Sequence, residues 1–233
     1  MLSLSAQWYD VIYQSKDYRK ESDVITRLLK KEHPKAKSLL DAACGTGEHD
    51  RYLSKTYNVD GLDINADFIS IASQKNSQCR YFMGDMMNFS LNKSYDIIIC
   101  LFSSIGYVRS LENVAQTLRC FSKHLNPDGI IIVEPWFTPG AWKVDGRVHM
   151  RTGESAEGKI CRMAVADQQD SLSVEIIHYL IGTKQGISHF SERHELGLFT
   201  VEEMKNAFSE AGLIAQFDDY GLTGRGLYTA KSK

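Results

Sequence analysis

Five short apolar runs, each closing on an acid or a turn, set the first half of the chain. They are Leu39–Cys44, Tyr57–Asp63, Cys79–Met86, Tyr95–Phe102 and Gly129–Pro135. The fourth run, Tyr95-Asp96-Ile97-Ile98-Ile99-Cys100-Leu101-Phe102, is almost wholly apolar, as a strand covered on both faces requires. Helix-length segments separate the runs, except between the third and fourth, so the pattern predicts repeated βαβ units and a parallel sheet. Ahead of them, residues 5 to 32 carry two amphipathic helical patterns, with Val24, Ile25, Leu28 and Leu29 as the apolar stripe of the second. The pattern breaks over residues 136 to 198. Alternation in Ser173–Leu180 there predicts antiparallel strands open on one face. A helix from Val201 to Ala211, stopped by Gly212, precedes final strands near Leu213–Phe217 and Arg225–Ala230. The expectation is a seven-stranded α/β core over 1–135 and 199–233, with residues 136–198 as a β insertion.

The first run leads into the most informative stretch, Asp41-Ala42-Ala43-Cys44-Gly45-Thr46-Gly47. A strand feeding a glycine-rich turn and then a helical pattern delivers backbone to a ligand at the carboxyl edge of a parallel sheet. The third glycine of a dinucleotide fingerprint is missing, since Glu48-His49-Asp50 follow, and no Gly-Lys-Ser/Thr ends the loop as in a phosphate loop. The second run ends in Asp63, where an adenosine-binding α/β fold puts an acid to hold a ribose diol. A carboxylate suits that task because it accepts hydrogen bonds in a fixed geometry.

These motifs, with Gly61-Leu62-Asp63, Gly84-Asp85-Met86 and Asn126-Pro127-Asp128-Gly129, resemble the class I S-adenosylmethionine-dependent methyltransferases over residues 36–135. The resemblance implies a Rossmann-like sheet, mostly parallel with an antiparallel last strand, and S-adenosyl-L-methionine as cofactor, leaving as S-adenosyl-L-homocysteine. It places Asp41, Ala43 and Gly45 at the methionine part, Asp63 at the ribose, Asp85 and Met86 at the adenine, and Leu101 beneath the sulfonium. Tyr9 and Tyr18 would close over the amino-acid end.

A narrower resemblance runs to the carboxyl end. Phe102-Ser103-Ser104-Ile105-Gly106, Glu134-Pro135-Trp136, Phe137-Thr138-Pro139-Gly140, Gly186-Ile187-Ser188-His189 and Gly224-Arg225-Gly226-Leu227 are similar to the N,N-dimethyltransferases of nucleotide-linked amino sugars. It implies methyl transfer to an exocyclic amine, with Trp136, Thr138, His189 and Arg225 on the acceptor side. This chain has Tyr107 where those relatives carry histidine beside the sugar amine, and Tyr107 is the candidate to orient the acceptor nitrogen. Packing under the sheet edge is the other use for it.

The remaining chemistry leaves alternatives open. Arg225 suits a diphosphate, because arginine meets phosphate oxygens bidentately, or else forms an ion pair. Trp136 either stacks on the acceptor or fills the insertion's core. His189 hydrogen-bonds substrate or is an ordinary strand residue. On one strand it would face away from His194, poor geometry for a shared metal, and no metal is expected. A methyltransferase of a non-sugar small molecule is the alternative function.

Bulk properties narrow the class. The 233 residues carry net charge −2 and a pI near 6.4, giving no basis for nucleic-acid binding. No apolar run approaches the roughly 18 residues of a membrane span, and the start Met1-Leu2-Ser3-Leu4-Ser5 is unlike an export signal. Five cysteines without paired spacing read as buried hydrophobes in a reducing compartment. A cytoplasmic enzyme is expected, and a homodimer if the insertion exposes an apolar face.

Overall fold

The isoleucine-rich runs become the centre of the sheet in a computed structural model that describes residues 3–233. The parallel strands are β1 (Ser38–Ala42), β2 (Asn58–Asp63), β3 (Arg80–Met83), β4 (Tyr95–Cys100) and β5 (Leu125–Val133). With β10 (Leu213–Asp218) and β11 (Leu227–Ser232) they form one sheet in the order β10-β11-β5-β4-β1-β2-β3. The final strand β11 runs antiparallel to both of its neighbours. The fifth strand begins earlier than its glycine turn suggested. Its first residues pair with β4 through a register shift near Tyr95, with Asp128 in the left-handed region at φ 64°.

Period-two alternation sorts each central strand onto two cores. Short helices α3 (Asp50–Leu53) and α4 (Ala66–Lys75) follow β1 and β2. Leu40, Ile98 and Ile131 face α5 (Leu111–Lys123) and α6 (Val201–Glu210), packing with Leu118, Phe121 and Phe208. Leu39, Ile97, Ile99 and Ile132 face the opposite way, toward Ile25 and Leu29 of α2 (Tyr18–Glu32). Every residue named in these two layers is fully buried. Each such side chain contributes roughly 1.5–3 kcal/mol of burial, enough to fix which face each strand presents. Helix α6 is set by a capping box in which Thr200 and Glu203 satisfy each other's backbone amides. Gly212 just beyond it, at φ +77°, takes the left-handed turn that stops the helix.

The insertion forms a second, antiparallel sheet of β6 (Val148–Ser155), β7 (Gly158–Gln169), β8 (Leu172–Thr183) and β9 (Gly186–Gly197). Its inner face packs Ile160, Ala164, Ile177 and Ile181 on Trp8 and Ile12 of α1 (Leu4–Ile12). The amino-terminal helix therefore packs against the inner face of the second sheet. Among the described residues no helix is long and apolar enough to cross a membrane.

Candidate active site

The chain moves outward from β1 to β2 and β3, then crosses back to β4. That reversal opens a crevice at the carboxyl ends of β1 and β4, where such sheets bind ligands. A cavity of about 680 Å³ occupies it. The loop after β1 is held open by left-handed backbone at Ala43 (φ 66°), Gly45 (φ 55°) and Gly47 (φ 72°). The Ala43 and Cys44 amides donate to the Leu62 carbonyl at 2.7 and 3.0 Å, fastening the loop to β2. A methyl group on Gly47 would stand 2.7 Å from the Asn76 amide and the Tyr81 hydroxyl, whereas one on Gly45 would meet open space. Asp63 ties both loops together by accepting from the Gly45 and Asn65 amides, each at 2.8 Å.

The two amino-terminal helices close this half. Asp10 of α1 accepts from Thr46 Oγ1 and Lys75 Nζ, both at 2.6 Å. Glu21 of α2 bonds His49 at 2.8 Å and also Lys16, and these partners hold its carboxyl below the usual glutamate range despite burial. Tyr9 packs edge-on to Phe68 at 5.0 Å and Tyr18 to His49 at 4.9 Å, both lining the cavity.

The other half is roofed by the second sheet. Strand alternation and register put Arg162, Glu175, Tyr179, Glu192 and His194 together on its inner face, and all five line the cavity. Tyr107 reaches them from a 3₁₀ turn (Ser104–Val108) that follows Phe102 and Ser103, both at positive φ. Its hydroxyl lies 2.8 Å from His194 Nδ1, and His194 Nε2 lies 3.2 Å from Glu192. Tyr107 is 48% exposed as a residue, yet desolvation by the surrounding protein pushes the phenol pKa up. Nothing in the local sequence announces His194 or Glu192. They are brought to Tyr107 only by the pairing of β9 with β8 and its packing on the 3₁₀ turn.

Most of the residues expected from sequence meet here. Tyr9, Tyr18, Asp41, Ala43, Gly45, Asp63, Met86, Leu101, Tyr107 and Trp136 all line the cavity. Four expected residues stand elsewhere. Asp85 accepts from the Met87 amide at 2.9 Å and serves the turn after β3. The Thr138 carbonyl accepts from Ala141 and Trp142 amides at 3.0 Å, in a turn outside the cavity lining. His189 points to the outer face of the second sheet, stacked on His178 with ring centroids 5.4 Å apart. Arg225 pairs at 2.9 Å with the fully buried Glu134, whose other oxygen accepts from the Phe102 amide at 2.7 Å. An acid buried at the end of β5 requires a cation, and that demand draws Arg225 inward.

The carboxyls beneath the glycine loop show what ligand fits. Asp41 is buried, and its Oδ1 has no hydrogen-bond partner in the protein. Burial pushes its carboxyl up, and the charge of Asp50 pushes it further. Burial likewise lifts Asp50 to about 6 against hydrogen bonds from Asp41 and Tyr81. The unpartnered Asp41 oxygen leaves an acceptor free for an ammonium at the cavity wall, and each Asp63 oxygen keeps a lone pair for a diol. An amino acid joined to a nucleoside satisfies both demands.

Residues 39–129 match the methyltransferase domain family. The chain is 37% identical over 228 residues to dTDP-3-amino-3,6-dideoxy-alpha-D-glucopyranose N,N-dimethyltransferase of Streptomyces fradiae, covering 96% of this chain and 89% of that protein. Its fold superposes on DesVI of Streptomyces venezuelae with TM-score 0.93 at 30% identity, covering 100% of both. The S-adenosylmethionine-bound amino pentose methyltransferase CalS10 of Micromonospora echinaspora gives TM-score 0.86 at 27% identity, covering 100% of this chain and 98% of that one. The chain is an S-adenosylmethionine-dependent N-methyltransferase and belongs to the family of nucleotide-linked amino-sugar N,N-dimethyltransferases.

Proposed function

We propose that this enzyme methylates the exocyclic amine of a thymidine diphosphate-linked amino deoxysugar, with the sugar beneath the second sheet. The observation that carries the reading is one continuous cavity. It runs from Asp41 and Asp63 at the glycine loop to Tyr107, Glu192 and His194 under β8 and β9. In this reading residues 1–135 and 199–233 form the cofactor core, and residues 136–198 form the acceptor-binding insertion. Asp41, Ala43 and Gly45 hold the amino-acid end, Tyr9 and Tyr18 cover it, Asp63 takes the ribose, and Met86 and Leu101 line the adenine and sulfonium regions.

The cofactor supplies an activated methyl group, so the protein's work is alignment and exclusion of water. Trp136 walls the acceptor side, its indole N–H fixed on Ser173 Oγ at 2.8 Å. Carboxylates at Glu175 and Glu192 favour an amine, and Tyr107 presents its hydroxyl to the nitrogen. For the diphosphate, Arg162 within the cavity and Arg193 at its wall replace Arg225 as the cations on hand. Arg162 Nε has no hydrogen-bond partner in the protein.

The outer face of the second sheet supports a homodimer. Val148, Met150, Val165, Ile176, Leu180 and Ile187 are all exposed there on adjoining strands, an apolar patch suited to a second copy. All five thiols are free, which suits a reducing cytoplasm. The functional reading is tested by calorimetric titration of thymidine diphosphate into protein saturated with S-adenosylhomocysteine. Saturable binding that weakens in Arg162→Ala is expected. Absence of nucleotide binding, with a free small amine bound instead, would move the acceptor outside the nucleotide sugars.

A further inference from the structure

We propose that Tyr107, His194 and Glu192 form a proton relay that clears the acceptor nitrogen between successive methyl transfers, an inference resting on the amine-methylating reading above. Each transfer turns a neutral amine into an ammonium with no lone pair. A second methyl can be accepted only after that nitrogen has given up a proton.

The hydrogen-bond sense along the three residues follows from their chemistry. The Glu192 carboxylate only accepts, so His194 must carry its proton on Nε2, across 3.2 Å. Its Nδ1 is then bare and accepts the Tyr107 hydroxyl at 2.8 Å. The bond from His194 holds Glu192 below the usual glutamate range, so it stays charged. The phenol, raised by desolvation, passes a proton without resting as an anion. In the step, the ammonium N–H bond breaks as a proton reaches Tyr107 Oη. The hydroxyl's own proton moves to His194 Nδ1, and the imidazolium so formed faces the Glu192 charge. The proton then leaves to water, since the His194 and Glu192 side chains keep 24% and 32% of their surface accessible. Protons and charge balance with water as the final proton acceptor.

Charged and titratable groups face the relay from every element packed against it. Glu175 stands directly across from His194 on β8, and Arg162 faces Tyr179 across β7 and β8. Ion pairs of Arg109 and Arg193 with Glu195 border the recess on the other side of Tyr107. Tyr13 of the α1–α2 turn lines the same cavity as Tyr107. Glu175 and Glu192 thus flank His194 with carboxylates, and Arg162 lies 3.8 Å from Glu175.

The test compares wild type with His194→Ala and Glu192→Gln on a thymidine diphosphate-linked amino sugar, following mono- and dimethylated product against pH. We expect His194→Ala to lose about tenfold or more of the second transfer near neutrality, with monomethyl product accumulating. Added imidazole should restore it, and Glu192→Gln should shift the pH profile while cofactor affinity stays unchanged. Equal loss of both transfers without rescue, or an unaltered pH profile in both variants, would overturn the relay. A second readout needs no acceptor. Nitrogen NMR of labelled histidine should show His194 with its proton on Nε2, and a proton on Nδ1 would overturn the relay. If the wild type methylates no nucleotide-linked amino sugar, the functional reading fails, and the tautomer still decides the relay.

Discussion

Asp63 is a single carboxylate that does two jobs. It pins the Gly45 and Asn65 amides, and its remaining lone pairs face the cavity. On the ribose role proposed above, Asp63→Ala removes charge-assisted bonds to the cofactor and loosens the glycine loop together. We expect cofactor affinity to fall by about 1–3 kcal/mol, read by calorimetry. Unchanged affinity would reject the ribose role. The place of Asp63 in the cavity wall was legible from sequence because it follows from the end of the second strand. Tyr107 was legible for a similar reason, as the residue after Ser103-Ser104-Ile105-Gly106. His194 and Glu192 were not. Their link to Tyr107 spans 87 residues and exists only once β9 packs on the 3₁₀ turn.

At the scale of elements, buried or anchored acids decide how strand ends are arranged. Glu134 ends β5 and gathers the Phe102 amide, the Thr223 hydroxyl and Arg225. Arg225→Ala leaves that charge unpaired, at a cost of about 3–5 kcal/mol. A marked fall in Tm is expected. Intact Tm with lost nucleotide affinity would instead return Arg225 to phosphate binding. The sequence could not separate these uses, because a Gly-Arg-Gly turn exposes or buries its arginine according to what lies opposite. Asp96, near the start of β4, accepts from the Lys37 and Ser38 amides and from Asn126, joining β1, β4 and β5. Those bonds outweigh desolvation and hold its carboxyl at about 2. A folded pKa below the unfolded value of about 3.9 gives stability that is present at higher pH and lost as pH falls toward 2. Urea unfolding between pH 5 and pH 2 should therefore show a steeper acid loss in wild type than in Asp96→Asn. Identical slopes would remove Asp96 from the account.

Across the whole molecule, two sheets divide the labour and α1 joins them. The parallel core was predictable in the number of its strands because near-continuous apolar runs such as Ile97–Ile99 mark strands covered on both faces. The insertion was predictable only as antiparallel. Which of its histidines face the cavity depends on register, and a one-residue shift exchanges His189 for a neighbour on the other face. Its outer face makes a further prediction. Sedimentation should report a dimer, and Ile176→Glu with Leu180→Glu should yield monomers. A wild-type monomer at tens of micromolar would refute the pairing.

The most direct measurement is the mass of the product after incubation with S-adenosylmethionine and a thymidine diphosphate-linked amino deoxysugar. Stepwise gain of methyl groups on the sugar nitrogen, with S-adenosylhomocysteine formed in equal amount, is the predicted result. An unmodified sugar alongside a methylated non-sugar amine or alcohol would contradict the central claim.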